Sequence, residues 1–219
     1  MLLALRDQEG TVFSGSMYNF AIGGAVLAEL LMNRRVDIEA VKKKKFVRVL
    51  SDAPLGDPFI DECLSQIVTA NKPAQLRDWV SKFANAKNLK NRVAGQLVRR
   101  QILRVDEDKI LGILARKVYP EIDPVPEREV NDRLREAIFG EGREIEPRTV
   151  VLLSLASSAD LLRNVFHKKE LKARKARIGQ VVNGELTGEA TKEAIEAMQA
   201  ALAVACIIPA IVVASTAGN

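Results

Sequence analysis

The side chains whose types and spacing best suit a chemical task are basic, and the chemistry that they predict is phosphate binding. No acidic residue lies between Lys82 and Val105. Lys87 and Lys90 are three residues apart, so within a helix they would lie on neighbouring turns and could reach one anion together. Phosphate groups bind where such donors converge, although a solvated helix face explains the cluster equally well. The basic side chains of this cluster are Lys82, Lys87, Lys90, Arg92, Arg99 and Arg100.

A second basic cluster follows between positions 168 and 177, and here a solvated helix face is the favoured explanation because Glu170 interrupts it. Its basic residues are Lys168, Lys169, Lys172, Arg174, Lys175 and Arg177.

The apolar segment Ile110-Leu111-Gly112-Ile113-Leu114 predicts one strand of a β-hairpin, preceded by a polar turn at Asp106-Glu107-Asp108. If no core lies behind this segment, its apolar side needs cover, which a partner subunit or a membrane surface could supply. Packing onto the chain's own core is the equally open alternative. We expect Ile110, Leu111, Ile113 and Leu114 to form an oligomer or membrane contact.

Catalytic chemistry is disfavoured because the chain lacks the residues and motifs that it requires. There is no GxSxG, Walker loop, HExxH or GxGxxG motif. The single histidine, His167, is expected to cap a helix or pack, and Cys63 and Cys206 are expected to be buried thiols. The sequence therefore predicts a non-enzyme without catalytic residues, metal site or cofactor.

Two further groups of residues have structural explanations. Asp57, Asp61 and Glu62 open a predicted helix, where negative charge complements the helix dipole. Gly23 and Gly24 lie within a helical pattern, where small residues allow close packing of a neighbouring helix.

The elements that position these side chains are predicted to be helices with a few short strands. A hairpin is expected from Arg35–Glu39 and Phe46–Leu50, and the helix after Asp57 has Pro58 at its first position. The helix from Pro147 is apolar nearly all round, which predicts a central position. The helix from Pro58 is predicted to end at Asn71-Lys72-Pro73, and the helix that starts there carries Leu76, Trp79, Val80 and Phe83. Further helices are predicted at about 18–33, 87–100, 127–139, 147–166, 168–182 and 187–214.

Length and composition predict one globular, mainly α domain over residues 1–219, built around a central hydrophobic helix with short β-hairpins. The chain has 219 residues, a net charge of +5, 47% hydrophobic and 28% charged residues. No signal peptide is visible, and the apolar run Ala200–Ala214 is interrupted by Pro209 and is short for a membrane span. We therefore expect a cytoplasmic protein.

Several stretches together resemble the Golgi phosphoprotein 3 family over nearly the whole chain. The most specific is the Ser-Asp-Ala-Pro-x-Gly-Asp loop at Ser51–Asp57. The matching stretches are Leu2–Gly10, Gly24–Leu30, Arg34–Val36, Ser51–Asp57, Leu97–Val98 and Leu155–Leu162.

The resemblance implies a peripheral membrane protein that recognises phosphatidylinositol 4-phosphate and self-associates through a β-hairpin. The family's headgroup site uses two basic residues before the hairpin, which match Lys87 and Lys90. It also uses a tryptophan and an arginine. The matching positions here are Ser14 and Gly23, so neither residue is present. Members of the family in eukaryotes also bind glycosyltransferase tails and coat machinery, and the sequence resembles a short, prokaryotic-type member.

The leading hypothesis is a cytosolic peripheral protein that binds the anionic phospholipid surface of a membrane through Lys87, Lys90 and Arg92. A homo-oligomer is expected, and cytoplasmic tails of membrane proteins are further candidate partners.

The first alternative is a nucleic-acid-binding protein, because a helix followed by a ribbon occurs twice and the isoelectric point is about 9.3. It is disfavoured because aromatic residues are only 5% of the chain and no helix carries base-reading polar residues. The second alternative is an adaptor that binds a protein tail.

Overall fold

The computed structural model describes residues 1–6, 9–12, 16–42, 44–110, 114–142 and 144–186. Within these ranges the chain is mainly helical, as the sequence predicted. The helices are α1 Ser16–Met32, α2 Pro58–Val68, α3 Leu76–Ala84, α4 Leu89–Arg99, α5 Val125–Phe139, α6 Pro147–Ser158, α7 Lys168–Ala173 and α8 Lys175–Val182, with 3-10 helices at Leu2–Ala4 and Leu161–Asn164.

The strands described form three separate antiparallel pairs rather than one sheet. The predicted hairpin around positions 35–50 is confirmed, with Val36 opposite Val49. The strands are β1 Leu5–Arg6, β2 Thr11–Val12, β3 Val36–Val41, β4 Lys44–Val49, β5 Asp106–Ile110 and β6 Leu114–Val118.

Helix α6 lies between two hydrophobic clusters, which explains why its sequence is apolar nearly all round. Val151 and Leu155 pack with α1, α2 and α3. Val150 and Leu153 pack with α5 and α8 on the other side. The predicted central position of this helix is confirmed.

The predicted start of α2 is also confirmed, and its acidic residues hold the loop before it. The Asp57 carboxylate accepts hydrogen bonds from the amides of Phe59 (2.9 Å) and Ile60 (3.0 Å). The Asp61 carboxylate accepts from the amides of Leu55 (2.6 Å) and Gly56 (3.0 Å). These carboxylates therefore satisfy backbone donors that the helix and its loop leave free.

The predicted close packing at Gly23 is confirmed. A Cβ atom at this position of α1 would lie 2.5 Å from the carbonyl oxygen of Val80 in α3. The absence of a Cβ atom at Gly23 thus allows α1 and α3 to approach.

The largest differences from the predicted helices lie after Pro147. The helix from Pro147 ends at Ser158, because Asp160 has a left-handed backbone (φ 57°) that starts the 3-10 turn at Leu161. The helix predicted over 168–182 is divided at Arg174 into α7 and α8. The segment 187–214, predicted as a helix, lies outside the described residues.

The segment Asp106–Asp108 is a strand and not the predicted turn. Asp108 lies opposite Arg116 in the ladder, and its carboxylate accepts hydrogen bonds from Arg116 Nε (3.0 Å) and Nη2 (2.6 Å). Cross-strand pairing of opposite charges stabilises an exposed ribbon that has no apolar periodicity. The segment predicted as an apolar strand is instead the far end of the hairpin, where Ile110 pairs with Leu114.

Candidate functional site: the start of α4 and the adjacent hairpin

The candidate site is built around the first turn of α4. This helix begins at Leu89, so Lys87 lies in the turn before it and only Lys90 is helical. The prediction that both lysines lie on one helix is wrong, because Asn88 adopts a left-handed backbone (φ 56°) between them. Both lysines nevertheless stand at the N-terminal end of α4.

The N-terminal end of α4 lacks the negative charge that complements a helix dipole. The cap residue Asn88 makes no side-chain capping bond, and the first turn contains no acidic residue. The first turns of α2 and α3 contain Asp61 and Asp78, whereas α1, α6 and α8 resemble α4 in having no acidic residue there. A bound anion would stabilise the N-terminal end of α4 through the helix dipole.

Lys90 lies against the base of the β5–β6 hairpin. Its Nζ atom is 5.9 Å from the centroid of the Tyr119 ring, within the range of a cation–π contact. Burial lowers the pKa of Lys90, and the nearby positive charge of Arg116 lowers it further. The charged ammonium would therefore gain from an anionic partner.

Tyr119 connects the hairpin to α4 and to the N-terminal segment. Its hydroxyl donates to Asn91 Oδ1 at 3.0 Å, and its amide donates to the carbonyl of Gly10 at 2.9 Å. Its side chain is buried, and burial raises the pKa of the phenol. The hydroxyl is thus a fixed hydrogen-bond donor that holds the two elements together.

Arg92 faces the opposite side of α4 from Lys90. Its Nη1 atom donates to Glu62 Oε1 at 3.0 Å, its Nη2 atom contacts Glu62 Oε2, and its guanidinium carbon is 4.5 Å from the centroid of the Phe59 ring. The hydrogen bond from Arg92 lowers the pKa of Glu62. Arg92 therefore joins α4 to α2, and its charge is balanced within the chain.

The structure thus separates the three predicted headgroup residues into two groups. Arg92 is paired with a carboxylate. Among the described residues, Lys87 and Lys90 have no carboxylate within ion-pair distance. Arg116, which was not among the predicted residues, lies close to Lys90 but follows it by 26 positions, so that only the hairpin brings the two together.

Of the predicted hairpin contacts, Ile110 and Leu114 are paired at the end of the β5–β6 ladder. Leu111 and Ile113 lie outside the described residues. On the part of the ribbon nearer its base, Glu107, Arg116 and Lys117 are exposed. The hairpin therefore presents polar side chains near its base.

Other residues considered for chemistry have structural roles. His167 is exposed at the start of α7, where its amide donates to Glu170 at 3.2 Å. Cys63 is buried, and burial raises the pKa of its thiol to about 12, which leaves it protonated at neutral pH. Cys206 lies outside the described residues. In the part of the chain that the structure describes, no cluster of acidic, histidine or cysteine side chains could hold a metal ion.

The family model of Golgi phosphoprotein 3 matches residues 1–198 of this chain. The chain belongs to the Golgi phosphoprotein 3 family. The matched span contains the Ser51–Asp57 loop, the start of α4 and the whole β5–β6 hairpin, so the resemblance seen in the sequence is confirmed.

Membership of the Golgi phosphoprotein 3 family points to a non-enzymatic adaptor. Two positions of the family's headgroup site differ here. Ser14 lies outside the described residues, and Gly23 faces the backbone of α3, where a longer side chain has no space. Among the helices described, none combines the length and the apolar character needed to cross a bilayer.

Proposed function

We propose that this member of the Golgi phosphoprotein 3 family is a non-enzymatic peripheral membrane protein that binds anionic phospholipid headgroups at the start of α4. Lys87 and Lys90 would supply the charge. The observation that carries the proposal is the contrast within one helix: Arg92 is paired with Glu62, whereas Lys87 and Lys90 have no such partner among the described residues. Arg116 lies near Lys90, but its guanidinium is paired with Asp108, so the proposed site rests on the two lysines.

Arg92 has a positioning role in this proposal. Its ion pair with Glu62 and its contact with Phe59 fix the orientation of α4 relative to α2. A second bond between the same helices runs from Gln96 Nε2 to Asp57 Oδ1 at 2.7 Å. With one side of α4 fixed in this way, Lys90 is held on the side that faces the hairpin.

The hairpin would provide the second contribution to membrane affinity or the contact between copies of the chain. Ile110 and Leu114 pair at the end of the described ladder, and Leu111 and Ile113 lie between them in the sequence. These four apolar side chains would insert into a bilayer or pair with another hairpin. A basic patch and a short apolar insertion each bind weakly, and together they give stable attachment to a membrane.

Headgroup selectivity is expected to depend mainly on charge. Gly23 cannot contribute an arginine, and lysine offers a compact charge without the two-pronged geometry of a guanidinium. Phosphatidylinositol 4-phosphate, implied by the family resemblance, is therefore the reference lipid to compare with other anionic lipids. Nucleic acid is a poorer candidate because aromatic residues are only 5% of the chain and no helix carries base-reading polar residues.

The experiment is liposome co-sedimentation at physiological salt. Vesicles of neutral lipid alone are compared with vesicles containing phosphatidylinositol 4-phosphate, phosphatidylglycerol or cardiolipin. Each basic residue near an anionic surface contributes about 1 kcal/mol, so the double variant Lys87→Gln, Lys90→Gln should lose about 2 kcal/mol, or about 30-fold in affinity. Equal pelleting with all anionic lipids would indicate attraction by charge alone.

The matched control is the double variant Lys168→Gln, Lys169→Gln, which removes the same charge from exposed positions of α7. It should bind anionic vesicles as the unmodified chain does. Equal losses in both double variants would contradict the assignment to α4. Failure of the unmodified chain to pellet with any vesicle would contradict membrane binding and favour an adaptor for protein tails.

A further inference from the structure

An apolar cavity of about 240 Å³ lies between α1, α4, α5, α6 and the N-terminal 3-10 helix. Among its described lining residues, Tyr18 alone has a side chain with a nitrogen or oxygen atom. The others are aliphatic or thioether side chains, and they include Ala21, Leu97, Val130, Leu152 and Ala156. Neither Lys87 nor Lys90 lines this cavity, so headgroup binding does not explain why it is present.

The hydroxyl of Tyr18 is buried without a hydrogen-bond partner among the described residues. Only 5% of the residue is exposed. Burial raises the pKa of this phenol, so the group remains protonated and keeps a hydrogen to donate. Buried polar groups are nearly always paired, and an unpaired one in a cavity wall indicates a missing partner.

Water is a poor candidate for that partner. A buried water molecule needs two to four polar contacts. Apart from backbone amides and carbonyls, the lining residues offer two polar groups, the Tyr18 hydroxyl and the α-amino group of Met1, whose pKa burial lowers to about 6. Enclosed apolar cavities of about 150 Å³ are known to accept small hydrocarbons such as benzene. This larger cavity opens partly to the surface, which gives a ligand a route of entry, and its mainly apolar lining suits a flexible hydrocarbon that carries one acceptor.

We propose that this cavity binds one alkyl chain of an amphiphile whose carboxyl or ester carbonyl accepts a hydrogen bond from Tyr18. The volume limits the occupant to a single chain of medium length. The chain could belong to a free fatty acid or to a phospholipid. A phospholipid source is sterically reasonable because Val93 and Leu97, which line the cavity, follow Lys90 by three and seven residues on the same side of α4.

The test is calorimetric titration of the full chain with methyl hexanoate, methyl octanoate and methyl decanoate in the absence of a bilayer. Affinity should rise about fourfold for each added methylene until the cavity is full. Because these esters are uncharged and no membrane is present, the result does not depend on headgroup binding by the lysines. Competition by dihexanoyl phosphatidylglycerol would assign the chain to a phospholipid, and its absence would assign it to a single-chain amphiphile.

Three variants and one control locate the binding. Tyr18→Phe should weaken ester binding about three- to tenfold, while the thermal midpoint of the unliganded protein stays equal or rises because an unpaired hydroxyl is removed. Ala21→Leu and Leu152→Phe each fill part of the cavity and should abolish binding, and either one suffices if the other fails to fold. The control Ala70→Leu adds the same atoms at an exposed position and should leave binding unchanged.

The proposal would be overturned by the absence of saturable binding for all three esters. Binding that persists undiminished in the folded cavity-filling variants would also overturn it, because the ester would then lie elsewhere.

Discussion

The close approach of α1 to α3 at Gly23 can be tested by placing one methyl group in two helices. Adding a Cβ at Gly23 would bring it within 2.5 Å of the Val80 carbonyl oxygen and 3.1 Å of the Ala84 amide nitrogen. Both contacts are with backbone, which cannot rotate away. In α4, a Cβ at Gly95 would meet no atom within 4 Å. The same substitution should therefore have opposite effects at the two sites.

The magnitudes follow from two terms. Replacing an interior helical glycine by alanine gains about 1 kcal/mol in helix propensity, so Gly95→Ala should stabilise the protein by about that amount. Overpacking a well-packed interface costs about 1–3 kcal/mol, so Gly23→Ala should lie about 1–3 kcal/mol below Gly95→Ala in its free energy of unfolding.

The assay is urea denaturation followed by far-ultraviolet circular dichroism, with the slope of the transition checked for constancy. If Gly23→Ala stabilises the protein as much as Gly95→Ala, the α1–α3 contact yields easily and the reasoning is refuted. In that case an arginine at position 23, the residue that the family resemblance implies, would also become sterically possible. If the expected difference is found, headgroup binding must use other residues.

Three further predictions concern the hairpin and the contacts of α4. The double variant Ile110→Ser, Leu114→Ser should convert an oligomer to a monomer in light scattering, and an unchanged mass would exclude these side chains from the interface. Asp57→Ala should lower the free energy of unfolding by about 1–2 kcal/mol in urea melts, because it removes the α2 cap and the bond from α4, and no loss would contradict the capping role. A double-mutant cycle of Arg92→Met and Glu62→Gln should give about 0.5–1 kcal/mol of coupling at neutral pH. Because Arg92 lowers the pKa of Glu62, that coupling should disappear as the pH falls through the folded-state pKa, and coupling that persists in acid would contradict the ion pair.

Local sequence signals predicted those elements whose cause is local. Asp57 followed by Pro58 marked the start of α2, and alternating apolar residues marked the β3–β4 hairpin. The apolar run after Pro147 indicated a central helix because burial on two sides leaves no polar face. In each case a few neighbouring residues determine both the conformation and the environment.

The features that the sequence did not reveal depend on residues that are distant along the chain. The β5 strand reads as a polar turn because its stabilising partner, Arg116, lies across the ladder from Asp108. The left-handed conformation of Asn88 separates Lys87 from the helix, although the sequence has no glycine there that would predict the start or end of a helix. The different roles of Lys90 and Arg92 also depend on distant groups, since Glu62 lies 30 positions before Arg92.

The attachment of the hairpin at Tyr119 has a mechanical consequence. The ribbon is fixed at its base by the bond to Gly10, by the bond to Asn91 and by burial of Val118. Gly10 is specific to this joint, because it has φ +59° and a Cβ there would lie 2.4 Å from the backbone of Tyr119. A force applied at the far end of the hairpin would therefore rotate the ribbon about its base at Tyr119. The load would reach the N-terminal strands and the first turn of α4 first, because Tyr119 is bonded to Gly10 and to Asn91.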